Sequence, residues 1–560
     1  MFRPVLAALA LLALASPLAA KQAPARFDWF EYHGDDHLPK PGPNEYGNPI
    51  LQGFYPDPSV VRVGADYYLV NSTFAWFPGI PVFHSRDLVR WTQIGNAIDR
   101  PTQLNFAKMT MWQGVYAPDI SWHDGLFYIL NTCTGCGGNF IITARNPAGP
   151  WSDPVWLPEI DGIDTSLFFD DDGTAWIVHN GPPEGKPRYE GHTAIWLHQF
   201  DAKTLKAIGK PRVLVDGGVH PEQNPIWIEG PHIFRKDGAY YLIAAEGGTE
   251  EGHSEVVFRS DKLAGPYIAA ADNPILTQRD LLKDRPTPIT STGHASFVRT
   301  QNGEWWTVFL GVRPYDSNDN FNTGRETFLA PVHWQDGWPR VTKPKQTLPW
   351  AAPSPRLPRS AAPVPTSGSF TVRDDFSRAV LPRYWMMLRN PLGKWWRIAG
   401  GALQIDPRAN AFGDHGNPAL LVRRQQHLNA QATTKLSFTP ATDRAEAGIV
   451  ALQNDEYYYF LAIGREAGKR VVRLRRRAGG QDPAGGVVVA TARLDAAPTS
   501  PVDLRIVARG PLYDFRFSTD GRHWRTLVGG ADGTILSTKK AGGFVGAVFG
   551  LYATDGSVSR

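Results

Sequence analysis

Cysteine is almost missing from this sequence: the chain of 560 residues holds two, Cys133 and Cys136. A disulfide framework or a cysteine-rich zinc module needs more than that. With no βαβ pattern around it, this C-x-x-C pair is expected to form a local disulfide with no redox or metal role. Methionine is scarce at five residues, and long charged helical patterns do not occur. Beyond residue 14 no apolar stretch approaches the ~20 residues of a membrane helix. Charge of one sign is not in excess either, since 58 Lys and Arg face 54 Asp and Glu for a net +4. That excludes any electrostatic demand for nucleic acid, and the basic run at residues 473–477 is expected to be a solvated strand face.

What the chain does have begins with Met1-Phe2-Arg3, an apolar run over residues 5–14, and Ala19-Ala20 before Lys21. This is the pattern of a secretory signal, so residues 1–20 are set aside. The mature chain is expected to be soluble and exported, periplasmic or extracellular, with no membrane and no nucleic-acid partner; the oligomeric state stays open. Its length implies at least two domains. Abundant glycine, proline and tryptophan (55, 47 and 19 residues) favour short strands joined by tight turns, with aromatic faces suited to sugar rings.

Five segments share one pattern of short strand, Gly-containing turn and aromatic strand. The first runs from Asp57-Pro58-Ser59 through Gly64-Ala65 to Tyr67-Tyr68, the second from Ala117-Pro118-Asp119 through Asp124-Gly125 to Phe127-Tyr128. The third runs from Asp164-Thr165-Ser166 through Asp172-Gly173 to Trp176, the fourth from Glu229-Gly230-Pro231-His232 through Asp237-Gly238 to Tyr240-Tyr241, and the fifth from His294-Ala295-Ser296 through Asn302-Gly303 to Trp305-Trp306. Asp-Gly and Asn-Gly between apolar runs mark hairpins. Recurrence at roughly 45–65 residues matches the blades of a propeller, which predicts an all-β, five-bladed β-propeller over residues 21–345. The leading residues Asp57, Ala117, Asp164, Glu229 and His294 would then converge on the central channel. Residues 346–368, rich in proline, read as a linker or a chain lying on a surface. From residue 369 to 560 alternating strands such as Val502-Asp503-Leu504-Arg505-Ile506 indicate a β-sandwich.

Gly53-Phe54-Tyr55-Pro56-Asp57-Pro58-Ser59, Asn71-Ser72-Thr73-Phe74-Ala75-Trp76, Glu229-Gly230-Pro231-His232, Gly293-His294-Ala295-Ser296 and Gly324-Arg325-Glu326-Thr327 together resemble the β-xylosidase branch of glycoside hydrolase family 43. The C-terminal unit resembles that branch's concanavalin A-like sandwich through Ala447-Gly448-Ile449-Val450 and Gly542-Gly543-Phe544-Val545-Gly546. The resemblance implies an inverting enzyme that removes xylose from xylo-oligosaccharides or arabinoxylan, with an α-L-arabinofuranosidase or an enzyme of both activities as the closest rival. A lectin-like propeller is disfavoured because all three acids are present. Inversion needs one carboxylate to deprotonate water and one carboxylic acid to protonate the leaving oxygen. Carried over, Asp57 is the base, Glu229 the acid, and Asp164 the third carboxyl that orients Glu229 and keeps it protonated. Taken singly, each acid could equally be a turn or strand-end residue.

Arg325 and Phe74 match residues that contact the terminal sugar, and Trp76 and Trp112 are candidate wall residues with a core role weighed equally. His294 matches a histidine near the family's central metal or water site. No cofactor is expected to be required, no side-chain metal site is assigned, and a calcium there would be structural.

Overall fold

The computed structural model describes residues 22–556, so the signal-like residues 1–20 lie outside the described part. Among the described residues helix is confined to Thr538–Ala541 and three single turns of 3-10 helix; the rest of the regular structure is strand. The protein is a five-bladed β-propeller followed by a concanavalin A-like sandwich.

Each blade is an antiparallel sheet whose first strand starts at the central axis. The inner strands are Ser59–Val63, Asp119–His123, Ile163–Phe169, Glu229–Lys236 and Thr290–Arg299. Each pairs with the strand the sequence predicted next to it: Asp66–Val70, Leu126–Thr134, Ala175–Gly181, Ala239–Glu246 and Trp305–Val312. The turns explain the Asp-Gly pairs. Asp124 and Gly125 have φ of 48° and 78°, and Asp237 and Gly238 have 49° and 82°, the double positive φ that matches a two-residue loop to strand twist. Apolar side chains fill the gaps between blades, as Val82, Ile98, Ile129 and Phe140 do between the first two. The fifth blade has three strands of its own, and residues 50–51 close it. Ile50 and Leu51 donate backbone hydrogen bonds to the Thr327 carbonyl at 2.9 and 3.2 Å, and the Thr327 amide returns one to Leu51 at 3.2 Å. That ties the ring shut and removes a free sheet edge.

The sandwich has two eight-stranded sheets over a core that includes Phe27, Trp385, Leu436, Ile449, Phe515 and Leu551. Two of its strands come from elsewhere in the chain. Ala25–Gly34 pairs with Phe370–Asp374, Leu403–Ile405 and Asn429–Ser437, so the stretch assigned to the start of the propeller belongs to the sandwich. The cause is its apolar face: Phe27, Phe30 and Tyr32 are buried in the sandwich core. Trp76–Phe77, from a loop of the first blade, pairs with Met386–Leu388 at the other sheet's edge. The proline-rich stretch lies on the propeller, held by Ala351–Pro353 pairing with Glu45–Gly47 and by the Ser360 amide donating to Asp87 at 2.8 Å. Cys133 and Cys136 are bonded to each other.

Candidate active site

All five leading residues of the repeats, Asp57, Ala117, Asp164, Glu229 and His294, line one cavity of about 530 Å³. A regular strand could not present them there. Asp57, Asp164 and His294 have φ of 52°, 57° and 54°, and Gly230, next to Glu229, has 57°. In three blades the pairing register breaks at the same place: between Ile163 and Ser166, between Glu229 and His232, and between Gly293 and Ser296. An extra residue in one strand turns its neighbour out of the sheet, and left-handed backbone at non-glycine residues persists only where surrounding structure enforces it. Gly230 is fixed as glycine twice over, because a Cβ there would also sit 2.9 Å from the His294 ring.

Asp57 is gripped from both sides. Arg325 donates to its two oxygens at 2.8 and 3.4 Å, and the Ser72 hydroxyl donates at 2.5 Å. These donors orient a carboxylate and leave it facing the cavity. His294 stands with Nδ1 3.9 Å from Asp57, but burial lowers its pKa to about 4, so it is a neutral wall at ordinary pH. Asp164 accepts the Gly230 amide at 3.1 Å, which pins the backbone just after Glu229.

Glu229 and Asp164 are both pushed upward. Burial is the larger cause for each; Asp57 adds to the effect on Asp164, and Asp164 followed by Asp57 adds to that on Glu229, while Arg325 opposes. Glu229 reaches about 8. Asp164 is raised to about 7, so of these two buried, interacting carboxyls Glu229 is the one that keeps its proton to the higher pH. The cavity therefore contains an oriented carboxylate and a carboxylic acid, the pair needed for general acid–base work on one bond.

Phe74, Arg325 and His294 line this cavity as the sequence suggested. Trp76 does not. It is fully buried where the first-blade loop joins the sandwich sheet, in a cluster with Phe54, Tyr458, Phe460 and Tyr552. Trp112 is likewise outside the cavity lining; it is 37% exposed at the rim and meets the edge of Phe544 with ring centroids 6.3 Å apart. The strongest omission is Phe544, a sandwich residue that lines the cavity. It stacks on Phe74 at 6.3 Å, meets Tyr116 edge-on at 5.7 Å and lies under the Arg325 guanidinium at 5.5 Å. Tyr116, Asn180, Thr193, Trp227, Thr249 and Glu250 were also not anticipated as lining residues. Two of these lie in segments that resemble the family, Phe544 in residues 542–546 and Thr249 in residues 245–249, but nothing local marks either as a pocket residue.

The sandwich also sets Arg325. Gly324 lies against Phe54 and Gly546 so closely that a Cβ would meet them at 2.7 and 2.8 Å. Asn322, three residues before Arg325, donates to the Tyr513 hydroxyl at 3.0 Å, and its carbonyl accepts the Ala547 amide at 2.8 Å. Glu326 is locked in a buried ion pair with Arg313 at 2.5 Å. As for a metal, no three His, Cys, Asp or Glu side chains among the described residues are placed to hold one ion.

Paired carboxyl groups of opposed protonation beneath an aromatic-walled cavity at the axis of a propeller define a glycoside hydrolase. Comparison with known proteins agrees: residues 46–339 match the model of glycosyl hydrolases family 43 and residues 373–560 that of the beta xylosidase C-terminal concanavalin A-like domain. The chain belongs to glycoside hydrolase family 43. It is 38% identical to a xylosidase/arabinosidase of Butyrivibrio fibrisolvens over 91% of this chain and 95% of that one. It is 35% identical to a non-reducing end alpha-L-arabinofuranosidase of Bacteroides ovatus over 91% of both. The crystal structure of a family 43 enzyme retrieved from capybara gut metagenome superposes with a TM-score of 0.88 at 38% identity, covering 95% of this chain and all of that one.

Proposed function

We propose that this chain is an exported, exo-acting, inverting β-xylosidase that releases xylose from xylo-oligosaccharides or from the xylan part of hemicellulose. The observation that carries the reading is the convergence of Asp57, Asp164 and Glu229 in one cavity, with Asp57 held by Arg325 and with burial and the neighbouring carboxyls pushing Glu229 toward its protonated form. The terminal sugar packs against the aromatic wall that Phe74, Tyr116 and Phe544 form together, with Arg325 donating to its hydroxyls. Asp57 takes a proton from a water as that water's oxygen bonds to the anomeric carbon. The bond from that carbon to the leaving oxygen breaks, and Glu229 gives its proton to the departing oxygen. Asp164 keeps that proton on Glu229 until it is needed and fixes the backbone beside it. Export rests on the secretory pattern of residues 1–20.

A second reading, α-L-arabinofuranosidase activity alone or alongside, is supported by the names of the two relatives above. Assay of the purified protein on matched nitrophenyl β-xyloside and α-L-arabinofuranoside decides between the sugars. NMR of the first product from a β-xyloside is expected to show the α-anomer; initial appearance of the β-anomer would remove the single-displacement mechanism.

A further inference from the structure

Trp227 lines the cavity on the Glu229 side, two residues before the acid, and it has no place in the sugar-cleaving machinery described so far. Trp227 is 46% exposed, more than any other tryptophan among the described residues, a large apolar surface left open beside the cavity. The backbone beneath it is nevertheless held hard. Trp227 has φ of 49°, costly for a bulky side chain. Its amide donates to the Gly191 carbonyl at 2.8 Å, the Ile226 carbonyl accepts the Gly247 amide at 2.9 Å, and the Ile228 carbonyl accepts Asn180 at 2.7 Å and Thr193 at 3.1 Å. The ring rests on Gly248, where a Cβ would come within 2.7 Å of it. Three loops thus fix an exposed aromatic plate at one orientation, with glycine beneath it and open cavity beside it. Rigid, strained and half-exposed is the profile of a residue built to be covered by a ligand.

We infer that Trp227 is the platform of the leaving-group subsite, where it stacks on the pyranose that departs with the oxygen protonated by Glu229. This rests on the glycosidase reading above and adds the aglycone to it. A cavity of about 530 Å³ is of the size that takes a ligand of more than one ring. Glu250 also lines it, paired with Lys539 of the sandwich at 3.2 Å, and offers a carboxylate to the hydroxyls of that second sugar. Stacking there pulls the leaving group over Glu229, so its binding energy serves the transition state rather than the resting complex. The natural substrates are then oligosaccharides with a pyranose after the cleaved bond.

The test compares a substrate with no leaving-group sugar to one with it. kcat/KM would be measured for wild type, Trp227→Ala and Trp227→Phe on β-xylosyl fluoride and on xylobiose, with circular dichroism of each variant. Trp227→Ala is expected to lose at least about tenfold on xylobiose while staying within about threefold on the fluoride, and Trp227→Phe to recover most of the loss. An equal loss on both substrates would make Trp227 a mere support of the strand carrying Glu229, and no loss on either would leave the plate without a ligand; each overturns the inference. Wild-type turnover of the fluoride tests the underlying reading separately. Should wild type cleave only arabinofuranosyl substrates, the same ratio is read with α-L-arabinofuranosyl fluoride and an arabinofuranosyl xylobiose.

Discussion

Replacing Asp164 by Asn isolates the electrostatic part of the mechanism. Glu229 keeps its proton up to about pH 8 because it is buried and because Asp164 and then Asp57 place negative charge beside it. The substitution leaves the burial in place and removes the larger of the two like charges. Asn keeps a carbonyl oxygen for the Gly230 amide, now accepted at 3.1 Å, so the backbone at Glu229 has no reason to move. A neighbouring charge in a poorly solvated site is worth of the order of 1–3 pK units, so Glu229 is expected to titrate about one to two units lower. Protonated Glu229 is the active form: activity is present below its pKa and lost as pH rises through it. The alkaline limb of kcat/KM should therefore move to lower pH by about that amount, equivalent to about 1.4–2.7 kcal/mol of lost proton affinity. The assay is kcat/KM on xylobiose from pH 4 to 10, since a poor leaving group makes the proton essential. An alkaline limb that stays in place, or moves upward, would refute the account of how the acid is kept charged with its proton.

Three further outcomes are expected. Glu229→Ala should depress kcat/KM for xylobiose far more than for a dinitrophenyl xyloside, whose stabilised phenolate needs no proton; equal losses would dismiss Glu229 as the acid. Glu229→Gln should raise thermal stability in a pH-dependent way. The carboxyl's folded pKa lies above its ordinary value of 4.5, so its favourable contribution is complete at acid pH and lost as pH rises toward 8. The Tm of the variant relative to wild type should then grow by about 2–5 °C between pH 5 and 9, and a flat difference would contradict the proposed burial. Gly546→Ala should cut kcat/KM at least about tenfold without unfolding the protein. Its Cβ would sit 2.6 Å from the Thr323 carbonyl oxygen, forcing the Arg325 loop off Asp57; wild-type kinetics in this variant would show that the sandwich does not set that loop.

The repeat legible in the sequence determined most of this protein. Tight turns need Asp-Gly or Asn-Gly, strands need alternating or aromatic side chains, and both are local demands written residue by residue. The same opening five times over fixed the number of blades and, with it, the convergence of Asp57, Asp164, Glu229 and His294. What stayed hidden was every contact between distant parts of the chain. The chain's start runs straight into the first blade, yet the apolar face of Ala25–Gly34 is satisfied only inside the sandwich. Trp76 sits in a family-like motif beside Phe74, yet a paired edge strand takes it under the sandwich while Phe74 faces the cavity. Phe544 has no local mark of a pocket residue, because its partners Phe74, Tyr116 and Arg325 are assembled only when the two domains dock. Local geometry is encoded locally and could be read; packing between domains depends on shape complementarity between surfaces far apart in the chain, and only the tertiary structure decided it.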